Sequence, residues 1–249
     1  MNGLIGNPTA PGNPPYYAWL MLLAIGMSLV FWTRLARRDD RLLLVYLGAL
    51  AGAFLGAKLV YLFAEGWRDF AEADRWQRLA TGKTILGAFL GGYAGVELAK
   101  KLLGYPRATG DWFALIVPAA IVMGRFGCLL HGCCLGNVCE SSHWWTLADR
   151  NGIPRWPAVP VEIGFNLAAI GVFWVLRRRH WLPGQHFHLY LIAYGSFRFL
   201  HEFGRATPRM LGPLSGYQLA ALAVAALGIW GFRKRQRESR RIASDSISG

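Results

Sequence analysis

Apolar stretches of about 18 to 22 residues, the length that crosses the ~30 Å hydrocarbon core at 1.5 Å per helical residue, recur along the whole chain with basic clusters between them. A bilayer leaves no water to satisfy backbone polar groups, so stretches of this length and composition are expected to be helices. The fold class expected is all-α: a polytopic membrane protein with about seven transmembrane helices. The spans read from the sequence are 16–33, 42–64, 84–103, 112–131, 158–176, 184–204 and 214–232. Residues 1–15 form an extracytoplasmic N-terminal segment, 16–232 the transmembrane domain, and 233–249 a basic cytoplasmic tail that is expected to fray. The hydrophobic share of 54% and charged share of 16% over 249 residues are apolar for a soluble domain of this size.

The net charge of +13 fits membrane topology better than nucleic-acid binding, because the basic residues gather at span ends rather than on one soluble surface. Sixteen Lys and Arg fall in one set of loops and eight in the opposite set. The positive-inside bias then puts the N-terminus outside and the C-terminus in the cytoplasm, which an odd number of spans requires. The segment before Tyr16 has no Lys or Arg and is rich in Gly, Pro and Asn. The first apolar run therefore reads as a retained span rather than a cleaved leader. Between spans, 65–83 suits an interfacial helix. Trp144, Trp145 and Trp156 suit the water–lipid boundary.

Glycines recur at helical spacing in two spans: Gly48, Gly52 and Gly56 in one, Gly87, Gly91 and Gly95 in another. Small residues at this spacing let helices approach closely. Backbone left bare for a substrate is the second reading, to which the Gly91-Gly92 doublet adds weight.

Two segments carry the chemistry. In Tyr194-Gly-Ser-Phe-Arg-Phe-Leu-His-Glu-Phe-Gly-Arg205, a continuous helix would set Arg198, Glu202 and Arg205 within about 60° on one face, flanked by Tyr194 and His201. Charged groups in a span are costly and mark functional sites. Two arginines beside one glutamate leave positive charge for an anion such as phosphate, which Arg grips with a planar fork. An Arg198–Glu202 pair that only joins helices is the alternative. The second segment runs Gly124-Arg-Phe-Gly-Cys-Leu-Leu-His-Gly-Cys-Cys-Leu-Gly136. Arg125, Cys128 and Gly132 share a helix face, and Gly127, Gly132 and Gly136 suit a helix end where backbone approaches a ligand. All four cysteines lie between 128 and 139. Their spacing does not match paired C-x2-C structural sites, so no metal and no cofactor is expected. Burial as small apolar groups and a disulfide to Cys139 both remain open.

With these motifs in view, the chain resembles the bacterial prolipoprotein diacylglyceryl transferases. The 124–136 segment is similar to the family signature G-R-x-G-N-F-x-N-x-E-x-x-G, and 194–205 to Y-G-x-x-R-F-x-x-E-F-x-R. Fainter likenesses are G-A-K-L at 56–59, L-G-A-F-L-G-G at 86–92, and Pro160. The resemblance implies transfer of a diacylglyceryl group from phosphatidylglycerol to the lipobox cysteine of a prolipoprotein signal peptide in the bacterial inner membrane. A thioether forms and glycerol phosphate leaves. By matching position, Arg125 and Arg198 would hold the phosphate, and Glu202 would orient Arg198 or Arg205. Tyr17, Gly87, Gly91, Gly92, Gly127, Cys128, Gly132, Cys133, Gly136, Tyr194 and Arg205 would line the substrate site. The chain departs from the family pattern at Cys128, His131 and Cys133, which stand for Asn, Asn and Glu. Leu86 stands where the family has a histidine, and Lys58 stands for Arg. His131 or His201 is then the expected base. A related transferase with another acceptor, and a non-catalytic lipid-binding protein, are the alternatives.

Overall fold

The computed structural model describes residues 16–37, 39–70, 75–106, 108–149 and 151–248. Long helices coincide with all seven apolar stretches. They are α1 (Tyr16–Ala36) and α2 (Arg41–Tyr61), then, after the short α3 (Trp67–Asp69) and α4 (Arg75–Thr81), α5 (Ile85–Leu102), α6 (Gly110–His131), α7 (Ala158–Arg178), α8 (His186–His201) and α9 (Gly216–Ser248). A π-helical turn, Leu62–Gly66, links α2 to α3. The strands are short antiparallel pairs: β1 (Leu147–Ala148) with β2 (Pro154–Arg155), and β3 (Arg209–Leu211) with β4 (Leu214–Ser215). The mostly helical fold expected from the sequence is therefore found.

Among the described residues, three helical segments are long and apolar enough to cross a membrane: Arg41–Asp69, Gly110–Leu130 and Ala158–Arg178. Their outer faces leave Phe54, Leu55, Leu59, Leu167, Val172 and Trp174 exposed, while Arg125, Glu162, Asn166, Glu202 and Gln218 are buried. Apolar outside with polar groups buried is the distribution that hydrocarbon favours.

The chain divides into two units. One holds Arg34–Asp111, Leu182–Phe199 and the residues from Pro208 onward. Its α2 and α5 meet along the glycines. A Cβ on Gly91 would lie 2.1 Å from the Gly52 carbonyl oxygen, and one on Gly87 2.2 Å from that of Gly56. Gly87 and Gly91 thus face the partner helix, the close packing that their spacing led us to expect. Gly92 lies beside this seam, where a Cβ would meet Ala49 and Ala53 at 3.5 Å. Thr84 caps α5, its hydroxyl accepting from the Leu86 amide. Lys58 donates to the carbonyls of Leu79, Ala80 and Gly82, placing an ammonium on the negative end of α4.

Two further expectations need correction in this unit. Residues 65–83 do not form one interfacial helix: the π turn, α3 and α4 divide the segment, and 71–74 lie outside the described residues. Nor does the basic tail end the last helix, since α9 runs to Ser248. Arg, Lys, Gln and Glu are good helix formers, and Arg235 pairs with Glu238 at i, i+3, 3.7 Å apart.

The other unit comprises the described residues up to Thr33, Trp112–Trp181 and Leu200–Thr207. Trp32 is fully buried and packs on Phe113 with ring centroids 4.9 Å apart. The Arg177 guanidinium lies 3.5 Å from the Trp112 ring centroid. The segment between α6 and α7 is ordered by Asp149. Its carboxylate accepts from the amides of Asn151 and Ile153 and, at 2.7 Å, from Arg155 Nε. The Arg155 hydrogen bond, aided by those amides, holds the Asp149 pKa below the ordinary carboxylate value.

Candidate functional site

The second unit builds its site around the C-terminal end of α6. That helix ends in a left-handed glycine cap. Gly132 takes φ 66°, its amide donates to the Leu129 carbonyl, and the Cys133 amide donates to that of Cys128 at 3.1 Å. These are the two bonds of a Schellman cap, which folds the residue after the glycine back over the last turn. Cys133 therefore returns to Cys128. Cys134 also adopts positive φ, 61°, and its Sγ lies 3.9 Å from that of Cys128. The sulfurs of Cys128, Cys133 and Cys134 all lie within 4.8 Å of one another. Hydrogen bonding with Cys128 and Cys133, then the charges of Arg125 and Arg205, hold the Cys134 thiol well below its ordinary pKa. The disulfide to Cys139 is not formed: all four cysteines are free, and the Cys139 thiol turns to the Asn137 carbonyl, 4.0 Å away.

Beyond the cap, the loop is zipped to the segment after α8. Gly136 bridges Arg205, the Asn137 amide donates to the Gly204 carbonyl at 2.9 Å, and the Trp156 amide donates to the Asn137 carbonyl at 2.9 Å. Gly136 must be glycine, because a Cβ there would lie 2.2 Å from the Trp156 carbonyl oxygen.

Arg125 is buried on α6, and its Nη2 donates to Glu162 Oε1 on α7 at 3.0 Å and pairs with Oε2 at 2.8 Å. Its Nη1 points toward the Cys128 sulfur at 4.0 Å. Glu162 is fully buried. One turn on, Asn166 donates back to the Glu162 carbonyl.

The second arginine arrives by a different route from the one expected. The sequence reading set Arg198, Glu202 and Arg205 on one continuous helix face. Instead α8 stops at His201, residues Glu202–Gly204 form a 3-10 turn, and Arg205 is extended at φ −99°, ψ 145°. Two causes act, one tertiary and one local. Gly204 packs so closely on Trp156 that a Cβ would lie 2.8 Å from the indole, and Thr207 precedes Pro208, a position that resists helix. Glu202 is fully buried and accepts from the Thr207 hydroxyl at 2.6 Å, while Arg205 Nε stands 3.7 Å from its other oxygen. Arg205 is itself buried, and its Nε and Nη1 have no hydrogen-bond partner among the described residues.

The remaining expected residues are placed as follows. Gly127 is buried on α6 beside Cys128. His201 is buried at the end of α8, and His131 ends α6, its side chain outside the description. Tyr17 lies in α1, again with its side chain outside the description. Arg198 and Tyr194 belong to the unit described first; both are buried, and the Tyr194 ring packs on Phe89 at 4.9 Å. Glu162 and Asn166 were not singled out from the sequence. An intramembrane carboxylate was the available signal for Glu162.

A buried cluster of arginines, carboxylates and thiols can hold an anion and position a sulfur nucleophile. The family model described as prolipoprotein diacylglyceryl transferase matches residues 14–233. Among curated relatives, the phosphatidylglycerol–prolipoprotein diacylglyceryl transferase of Cupriavidus necator is 29% identical over 213 residues, covering 79% of this chain and 76% of the relative. That of Methylibium petroleiphilum is 29% identical over 234 residues, 88% of each chain. Phosphatidylglycerol–prolipoprotein diacylglyceryl transferase 2 of Clostridium perfringens is 27% identical over 230 residues, 86% of this chain and 88% of the relative. This chain belongs to the prolipoprotein diacylglyceryl transferase family.

Proposed function

We propose that this protein transfers the diacylglyceryl group of phosphatidylglycerol to the lipobox cysteine of a prolipoprotein signal peptide, in the bacterial inner membrane. It would cross that membrane seven times with its N-terminus outside. The observation that carries the reading is Arg205, a buried guanidinium with two donors unsatisfied. Buried donors are almost always satisfied in folded proteins, and a phosphate oxygen would satisfy these. The acceptor sulfur attacks the glyceryl carbon, the C–S bond forms, and the C–O bond to phosphate breaks with its electron pair staying on glycerol phosphate. Positive charge near that oxygen lowers the barrier, and more so where water is excluded. Arg125, held by Glu162, would supply the second cation.

The test is transfer of labelled diacylglycerol from phosphatidylglycerol to a lipobox peptide by the purified protein. Arg205→Lys keeps the charge and loses the fork. It should lower transfer at least about tenfold, the loss of roughly one charge-assisted hydrogen bond, with unchanged accumulation in membranes. Wild-type protein that binds phosphatidylglycerol but modifies no lipobox peptide would rule out this acceptor. Cys128, His131 and Cys133, which depart from the family signature, favour a related transferase with another acceptor as the second reading.

A further inference from the structure

We propose that Cys128, Cys133 and Cys134 bind one zinc ion through three thiolates, and that the fourth coordination position takes the acceptor cysteine. The second half of this statement rests on the function proposed above. Tetrahedral zinc with Zn–S bonds of about 2.3 Å sets its sulfurs roughly 3.8 Å apart. Cys128 and Cys134 already stand at 3.9 Å, and all three sulfurs lie within 4.8 Å. The backbone is built for this arrangement. The glycine cap returns Cys133 to Cys128, and Cys134 holds a left-handed conformation that costs a residue with a Cβ roughly 1–2 kcal/mol. A glycine at 134 would adopt that conformation freely, so the strain is explained if the thiol itself is required.

Three protein ligands and one open position is the stoichiometry of catalytic rather than structural zinc. The chemistry of the proposed reaction fits the open position. A free thiol is a poor nucleophile, and zinc deprotonates a coordinated thiol outright. The acceptor S–H proton is released to water on binding. The zinc-bound sulfur then attacks the glyceryl carbon, the C–O bond breaks toward phosphate, and the neutral thioether leaves the metal. Four thiolates on Zn2+ carry two negative charges. The Arg125 guanidinium at 4.0 Å from the Cys128 sulfur offsets part of that charge. Cys139 stands apart, its sulfur on the Asn137 carbonyl.

The test uses the full-length protein, purified in detergent under reducing conditions with zinc supplied. Metal analysis should find one zinc per chain in the wild type and in Cys139→Ser, and less than about a tenth of that in Cys128→Ser, Cys133→Ser and Cys134→Ser, since each removes one of three ligands. With cobalt(II) in place of zinc, the thiolate-to-metal absorption should rise by about a third when a lipobox peptide adds a fourth sulfur to three. The peptide with Ser in place of Cys should leave it unchanged. No bound zinc, zinc retained by all three serine variants, a Cys128–Cys134 disulfide in the reduced preparation, or a cobalt spectrum indifferent to the peptide thiol each overturns the proposal. Transfer that persists after zinc is stripped overturns it and leaves the transferase standing. Zinc and the peptide-dependent spectrum without any transfer leave the metal site standing and remove the diacylglyceryl reaction.

Discussion

Glu162→Gln isolates the most heavily buried ion pair of the site. Glu162 is fully buried; its Oε1 accepts from Arg125 Nη2 at 3.0 Å, and its Oε2 lies 2.8 Å from the same nitrogen. Gln keeps the volume and one acceptor but removes the charge. The Arg125 guanidinium then stays buried without its counter-ion, a situation that costs about 3–5 kcal/mol. At about 1.4 kcal/mol per tenfold change, the folded-to-unfolded ratio falls by about a hundred- to a few thousand-fold. For a chain of this length that is a fall in Tm of roughly 6–20 °C, read by thermal unfolding of the detergent-solubilised protein. The double variant Arg125→Met with Glu162→Leu removes both charges and fills the space with apolar groups, which is often neutral or stabilising. It should recover most of the lost Tm while transfer stays absent, so that stability and catalysis separate. A Glu162→Gln protein with wild-type Tm would refute the buried-pair energetics. A double variant that still transfers diacylglycerol would remove Arg125 from the site.

Three further outcomes follow from the same geometry. Gly91→Leu should abolish accumulation of folded protein, measured by membrane immunoblot, because its Cβ alone would lie 2.1 Å from the Gly52 carbonyl oxygen; Gly26→Ala, with nothing within 4 Å, should accumulate normally. Thr207→Val removes the 2.6 Å hydrogen bond to Glu202 and should lower stability by about 1.5–3 kcal/mol, the usual worth of a hydrogen bond to a charged group, with Thr207→Ser restoring it in the same unfolding assay. Asp149 has a depressed folded pKa through Arg155 and the Ile153 and Asn151 amides. Its ordering of the 149–155 loop is therefore complete above the ordinary carboxylate range and lost as pH falls through the lowered value. Hydrogen exchange of the Ile153 amide should accelerate across that acid window beyond the intrinsic pH trend, and in Asp149→Asn it should be fast at neutral pH and lack that step.

The helices were legible because length and apolarity are local. The stretch read as 42–64 became Arg41–Tyr61 and then the π turn, and 158–176 became Ala158–Arg178. Helix ends were less legible where tertiary contacts decide them. The run 184–204 reads as one apolar span, yet α8 stops at His201. What stops it is Trp156, some fifty residues earlier in the chain, packed on Gly204. The α2–α5 seam was legible in the glycine spacing of the two spans, and the structure sets Gly52 and Gly91 backbone to backbone along it.

The site was half legible for a related reason. Arg125, Glu202 and Arg205 stood out because a charge in an apolar stretch is costly wherever it points. Glu162 is equally costly, but nothing in its own segment names Arg125, thirty-seven residues upstream, as the reason it can be there. The thiols show the opposite case. Their spacing, four residues between Cys128 and Cys133 and none between Cys133 and Cys134, matches no paired C-x2-C site, because that pattern describes a turn shared by two ligands. Here the convergence comes from a helix cap: the Schellman bonds across Gly132 replace the turn, and the positive φ of Cys134 turns the third sulfur inward. A helix that ends in Cys-x-x-x-Gly-Cys-Cys therefore brings its thiols together by capping alone. The constraint was written in Gly132 rather than in the cysteines themselves.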